Sequence, residues 1–191
     1  MNRAFTEGME FNNMIIVDKP LIRGDYENCS FKNCDFSNSD LSEIVFAECQ
    51  FIGCNFSLAR LAQTSFRDVK FVSCKLLGIH FDDCNSLLFI VDFDNCVLNL
   101  SSFYKLKLKK TSFRNSSLNE VDFTETDLGS SIFDNCDLSG AMFDHTNLEK
   151  TDFRTSNNYS IDPELNRIKK ARFSLPGITG LLDKYDIEIE K

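Results

Sequence analysis

From residue 93 to residue 153 every fifth position is Phe or Leu, in strict alternation: Phe93, Leu98, Phe103, Leu108, Phe113, Leu118, Phe123, Leu128, Phe133, Leu138, Phe143, Leu148 and Phe153. A helix gathers side chains on one face every 3.6 residues and a strand every two, so neither buries a five-residue repeat. A chain that turns after each five-residue step does, because every step then points one large side chain inward. The same rule runs upstream in another register, through Phe11, Ile16, Leu21, Tyr26, Phe31, Phe36, Leu41, Phe46, Phe51, Phe56, Leu61, Phe66, Phe71, Leu76 and Phe81. That makes fifteen positions, and fourteen more when the second run is counted from Leu88. With 42% of residues apolar, the chance of that many independent hits is on the order of 10⁻¹¹. Such a chain is a solenoid, which buries its core by stacking coils.

The units themselves include Cys34-Asp35-Phe36-Ser37-Asn38, Ser39-Asp40-Leu41-Ser42-Glu43, Cys136-Asp137-Leu138-Ser139-Gly140 and Thr151-Asp152-Phe153-Arg154-Thr155. In this the chain resembles the pentapeptide-repeat family, over roughly residues 11–155. The resemblance implies an all-β solenoid, a right-handed quadrilateral parallel β-helix with four pentapeptides per coil and about seven coils in all. At about 4.8 Å per coil that rod is on the order of 35 Å long.

The 191 residues carry a net charge of −8, and no apolar run is long enough to span a bilayer. The first residues lack the layout of a secretory signal, so a cytoplasmic protein is expected. Seven of the eight cysteines (Cys29, Cys34, Cys49, Cys54, Cys74, Cys96 and Cys136) stand two residues before a repeat centre; Cys84 does not. Alternation turns that position inward, where Ser, Thr, Ala and Val otherwise sit, so the thiols read as small buried fillers. Cys34, Cys54 and Cys74 should stack, as should Cys29 and Cys49. They are expected to be reduced, and their spacing does not make a metal site.

The organisation expected is a β-helix over residues 1–155, opened by a weakly patterned N-terminal cap, and a second module over 156–191. Phe81 and Leu88 are seven apart, which places two extra residues within 82–87. They make either a corner bulge or a bend or recognition loop. Ile161-Asp162-Pro163-Glu164 reads as a turn or short helical start, and Ser174-Leu175-Pro176 as the start of a C-terminal α-helical cap. There Ile178, Leu181, Leu182 and Tyr185 fall on one helical face, and Ile187-Glu188-Ile189-Glu190 alternates like a strand. This segment resembles the C-terminal module of the quinolone-resistance (Qnr-type) branch, with its Leu-Leu pair and Ile-x-Ile tail. The resemblance implies a homodimer through Ile178, Leu181, Leu182, Tyr185, Ile187 and Ile189; a cap that only shields the last coil is the alternative.

No Walker A, Rossmann, H-E-x-x-H or G-x-S-x-G pattern is present, and His80 and His145 read as exposed or corner residues. We therefore expect no enzyme, no catalytic residues, no cofactor and no metal. An acidic rod repels DNA and attracts DNA-binding surfaces. The Qnr-type resemblance implies DNA mimicry toward DNA gyrase or topoisomerase IV, countering quinolones, with no direct nucleic-acid or membrane binding. A generic protein-interaction scaffold is the alternative. Lys105, Lys107, Lys109 and Lys110 form a basic knot that a uniform mimic does not need.

Overall fold

The computed structural model describes residues 3–189; Met1 and Asn2 of the expected N-terminal cap and Glu190 of the expected tail lie outside the described residues. The chain is a parallel β-solenoid in which seven coils each give one strand to the larger of two sheets. That sheet comprises Glu10–Asn12, Ser30–Lys32, Gln50–Ile52, Val69–Val72, Val91–Asp94, Ser112–Arg114 and Ile132–Asp134. The smaller one comprises Ala4–Glu7, Gly24–Glu27, Val45–Ala47 and Ser65–Arg67. The strands are short because the chain turns again before a longer one can form.

Parallel pairing at twenty-residue steps sorts the repeat centres into four rows. Row A runs through Tyr26, Phe46 and Phe66 and resumes at Leu108, Leu128 and Leu148. Row C runs from Ile16 through Phe36 to Leu138, and row D from Leu41 to Phe143. Row B is phenylalanine throughout: Phe11, Phe31, Phe51, Phe71, Phe93, Phe113, Phe133, Phe153 and Phe173. Successive ring centroids lie 4.7–5.5 Å apart, with planes tilted by at most 16°. Each such offset stack adds about 0.5–1.5 kcal/mol beyond the burial of its area. All thirteen centres from Phe93 to Phe153 are buried.

The position two before each centre does more than fill space. Thr64, Thr126, Ser131, Thr146, Thr151 and Ser156 each donate a hydroxyl hydrogen bond of 2.6–2.8 Å to the carbonyl twenty-three residues earlier, in the preceding coil. The thiols of Cys34, Cys54, Cys74 and Cys136 occupy the same slot and lie 3.4–3.5 Å from the equivalent carbonyl. Alternation identifies an inward residue; that the polar ones also donate is seen only in the stacked backbone, and Ile44, Val69, Val91 and Val121 fill the same slot without a donor. All eight cysteines are buried and free. Cys96 continues the Cys34–Cys54–Cys74 column across the register break. Burial pushes the Cys49 thiol up to about 12 and that of Cys136 to about 11. Hydrogen bonding to Cys54 and Cys96, then burial, holds Cys74 far above the usual thiol range.

Each coil closes through left-handed residues two after the centres, among them Asn33 (φ 52°), Asn95 (φ 55°), Asn115 (φ 49°) and Asn135 (φ 53°). Asn tolerates this region better than other side chains do.

At the break the twenty-residue step holds as far as Asn85, whose N–H donates to the Thr64 carbonyl at 2.8 Å. It becomes twenty-two at Val91–Asp94, which pairs with Val69–Val72. The two extra residues therefore lie between Asn85 and Val91, above row A, after a 3-10 turn at Phe81–Asp83. This corrects the start of the second register. Leu88 is no repeat centre: it is 59% exposed with φ 59°. Phe89 turns inward instead, with ring centroids 6.2 Å from Phe66 and 6.1 Å from Phe81.

Coil pairing extends past Thr155, with Asn147 against Arg167 and Asp152 against Arg172. Beyond it the expected α-helix is replaced by two 3-10 helices, Pro176–Leu181 and Asp183–Tyr185. The cause is close docking. The Gly180 carbonyl accepts the Ile161 N–H at 2.9 Å, and a Cβ on Gly180 would lie 2.1 Å from the Tyr159 carbonyl oxygen. Leu181 packs on the core, whereas Ile178 and Tyr185 are exposed, so the four residues do not share one buried face. Residues 187–189 form no strand, and Ile187 and Ile189 are exposed.

Candidate interaction surfaces

The consensus acid just before each centre is first a turn residue. Oδ1 of Asp35, Asp40, Asp122, Asp137 and Asp152 accepts the backbone N–H two residues on, at 2.8–3.2 Å. Asn55 and Asn147 do the same at 3.1 and 3.2 Å. These Asx turns account for the D/N of the repeat. Hydrogen bonds from Ser37 hold the Asp35 carboxyl below its usual range, and those from Ser42 hold Asp40 down. Asn158 and Ser139 lower Asp137, and Arg154 lowers Asp152.

The remaining charge is sorted by row. Along row D and its corner with row C lie Asp82, Asp83, Glu120, Asp122, Glu125 and Asp144. His80, Tyr104 and Met142 share the shallow groove lined by Asp82, Glu120 and Asp122. Lys105 stands here rather than with the other lysines of its run. Its Nζ lies 4.6 Å from the Tyr104 ring centroid and 3.6 Å from Glu125. At the end of the row, Lys184 Nζ bridges Asp162 at 2.8 Å and Glu164 at 2.7 Å, fastening the C-terminal segment.

Row A changes sign at the break. Below it the exposed charges are Glu7, Glu27, Glu48 and Asp68, and Asp25 is held by Arg3 at 2.7 Å. Above it come Lys107, Lys109, Lys110, Lys150, Lys169 and Lys170, with Arg167. The structure thus divides the basic knot: Lys105 joins the acidic row, and Lys107, Lys109 and Lys110 begin a basic one. His80 and His145 are exposed. Among the described residues no three His, Cys, Asp or Glu side chains come together as a metal site would require. No helix is long and apolar enough to cross a membrane.

The expected dimer residues sit at the C-terminal end, where Ile178, Tyr185, Ile187 and Ile189 are exposed beside Leu175, and Leu182, Ile187 and Ile189 line a shallow cleft. Periodicity takes Leu88 as an inward centre and passes over Leu87 and Ile90, yet the three form an exposed apolar group at the break (66%, 59% and 54% exposed). Their only signal is that five apolar residues in a row, 87–91, cannot all turn inward.

The family model described as "pentapeptide repeat region" matches residues 25–87 and 86–159. No curated protein sequence matches the chain. Among solved structures, HetL, a pentapeptide repeat protein involved in heterocyst differentiation regulation from the cyanobacterium Nostoc sp. strain PCC 7120, is similar at 15% identity. Its TM-score is 0.62, over 91% of this chain and 87% of that one. QnrB1, a plasmid-mediated fluoroquinolone resistance protein, is 20% identical with a TM-score of 0.45, over 96% of this chain and 100% of that one. At such identities the HetL likeness speaks to the fold alone.

Proposed function

This chain belongs to the pentapeptide-repeat family, and we propose that it is a non-enzymatic, cytoplasmic protein-binding rod that mimics DNA toward a type II topoisomerase, DNA gyrase or topoisomerase IV. In this reading the rod is a right-handed, four-sided coil, and residues 156–191 cap it and pair two copies end to end. The observation that carries it is the acid row: Asp82, Asp83, Glu120, Asp122, Glu125 and Asp144 lie over four successive coils. Two stand on the coil of Phe81, three on that of Phe123 and one on that of Phe143, with Lys105 on the coil of Phe103 between them; with coils stacked at about 4.8 Å they average one carboxylate per roughly 3 Å of rod. One strand of duplex DNA carries a phosphate about every 3.4 Å. Exposed Ile178, Tyr185, Ile187 and Ile189 support the end-to-end pair, since an apolar cluster on a polar rod favours a covering partner.

Gyrase supercoiling, titrated with this protein with and without ciprofloxacin, tests the reading. A variant with these six acids changed to their amides supplies the control. The wild type should alter supercoiling or protect it from the drug, and the amide variant should do neither. No effect of the wild type at tens of micromolar sinks the topoisomerase reading. The second reading, a scaffold for an unrelated partner, is favoured by the basic part of row A, which a DNA mimic has no use for.

A further inference from the structure

Row A carries three things in sequence along the rod: an acidic arm, an exposed apolar loop and a basic arm. The acidic arm spans the coils of Thr6, Tyr26, Phe46 and Phe66, with exposed Glu7, Glu27, Glu48 and Asp68. The loop between Asn85 and Val91 exposes Leu87, Leu88 and Ile90. The basic arm spans the coils of Leu108, Leu128, Leu148 and Ile168. Two of its cations are satisfied internally: Lys109 by Asp127 at 3.1 Å, and Arg167 by Glu149 at 2.8 Å. Lys107, Lys110, Lys150, Lys169 and Lys170 have no carboxylate within 4 Å among the described residues. Each arm is four coils long, so the apolar loop lies at the midpoint.

From this arrangement we propose that row A is the contact surface for a second copy of this chain, lying alongside in the opposite direction. A two-fold axis through the loop lays each acidic arm on the partner's basic arm and brings the two apolar loops together at the centre. That is what an isologous interface requires of a single surface: it must be complementary to itself under the rotation. It also has the usual anatomy, an apolar centre with a polar surround. No parallel arrangement does the same, because it sets acid on acid and base on base. An acidic partner protein satisfies only the upper arm and a basic one only the lower arm. This contact is independent of the topoisomerase reading and separate from the C-terminal end.

The test uses charge exchange on the full chain. One variant carries Lys110→Glu, Lys150→Glu and Lys170→Glu, making both arms acidic. The other carries Glu27→Lys, Glu48→Lys and Asp68→Lys, making both basic. Lys110, Lys150 and Lys170 already take the left-handed corner conformation that Glu48 and Asp68 take, so the exchanges suit the backbone. In sedimentation velocity at low salt each variant alone should lose one association step, with a dissociation constant at least about tenfold weaker. An equimolar mixture of the two should recover it, a result that neither misfolding nor C-terminal pairing produces. Leu88→Ser, which removes apolar area without adding charge, should weaken the wild-type association without changing its salt dependence.

A wild type that sediments as a monomer at tens of micromolar in low salt overturns the proposal. So does an association that both charge variants retain, which assigns the dimer to another surface. A monomeric wild type that retards a DNA duplex also overturns it, assigning the basic arm to a polyanion. Supercoiling assays on the charge variants separate this proposal from the preceding one, since the acids of row D are untouched in both.

Discussion

The two halves of the rod, below and above the break, solve the same packing problem with different residues. Below it, row A has aromatic centres (Tyr26, Phe46, Phe66) in true strands. Above it, row A has Leu108, Leu128 and Leu148, and each centre's carbonyl instead accepts the N–H three residues on, at 3.0–3.2 Å. Where the slot two before the centre carries a donor, it is mostly Cys below and mostly Ser or Thr above. Two features do not change: the row B phenylalanines and the left-handed corners. The coil needs these two, and what varies around them is free to be set by partners. The sign of row A is the clearest case, because nothing in the packing demands it.

The strongest challenge to this account is to remove a core ring from each half. Phe51→Ala and Phe123→Ala should each cost about 3–5 kcal/mol, whereas outward Glu125→Ala should stay within about 0.5 kcal/mol. Row B stacks without interruption across the break, Phe71 on Phe93 at 5.3 Å and 10°. Both core variants should therefore unfold in one denaturant transition. A second transition in Phe51→Ala, with the upper half persisting, would mean that the break divides the rod into two folding units.

How much of this could be read in advance follows from which interactions are periodic. The repeat centres are legible because they recur in every coil, and the inward cysteines because seven of the eight stand at one fixed offset from those centres. Periodicity misplaces Leu88 because it gives no guidance inside an insertion, where Leu87, Leu88, Phe89 and Ile90 are equally apolar. The 3-10 cap is indistinguishable from an α-helix in the sequence because residues 178 and 181 satisfy either period; Gly180 against Tyr159 decides between them only once both are in place. The sign change on row A was hidden for a different reason. It emerges when positions after the break are matched to those before it at a step of twenty-two rather than twenty. The Asp turns could have been recognised sooner, since Asn replaces Asp at positions 55 and 147, where an acceptor rather than a charge is needed.

A middle-sized effect sharpens the claim that Cys and Ser or Thr are two answers to one requirement. Thr126→Val keeps the shape but removes the 2.8 Å hydroxyl donor of the Phe103 carbonyl, which keeps the Leu106 N–H at 3.0 Å, and should cost about 0.5–1.5 kcal/mol. Cys54→Ser places the upper half's donor in the lower half's slot and should stay within about 1 kcal/mol. If Thr126→Val is neutral by denaturant midpoint, the slot requires only size, and the difference between the halves carries no lesson about hydrogen bonding.

The smallest effect concerns acid. In both halves turn carboxylates are held below their usual range, Asp35 and Asp40 below the break and Asp137 and Asp152 above it. A carboxylate depressed in the folded state stabilises it fully at pH well above the unfolded value of about 3.9, and that contribution disappears as pH falls through the folded value. Asp137→Asn keeps an oxygen for the Ser139 N–H, as Asn55 and Asn147 do for theirs, but has no proton to take up. At pH 7 it should match the wild type to within about 0.5 kcal/mol. Below about pH 4 its stability should fall less steeply, because one group no longer binds a proton on unfolding. Asp40→Asn should do the same from the lower half, since the turn is built alike on both sides of the break. Denaturant midpoints taken from pH 7 down to about 2.5 compare the slopes. Parallel curves for wild type and both variants would show that the turn uses Asp only as an acceptor, and that its charge contributes nothing to holding the coil.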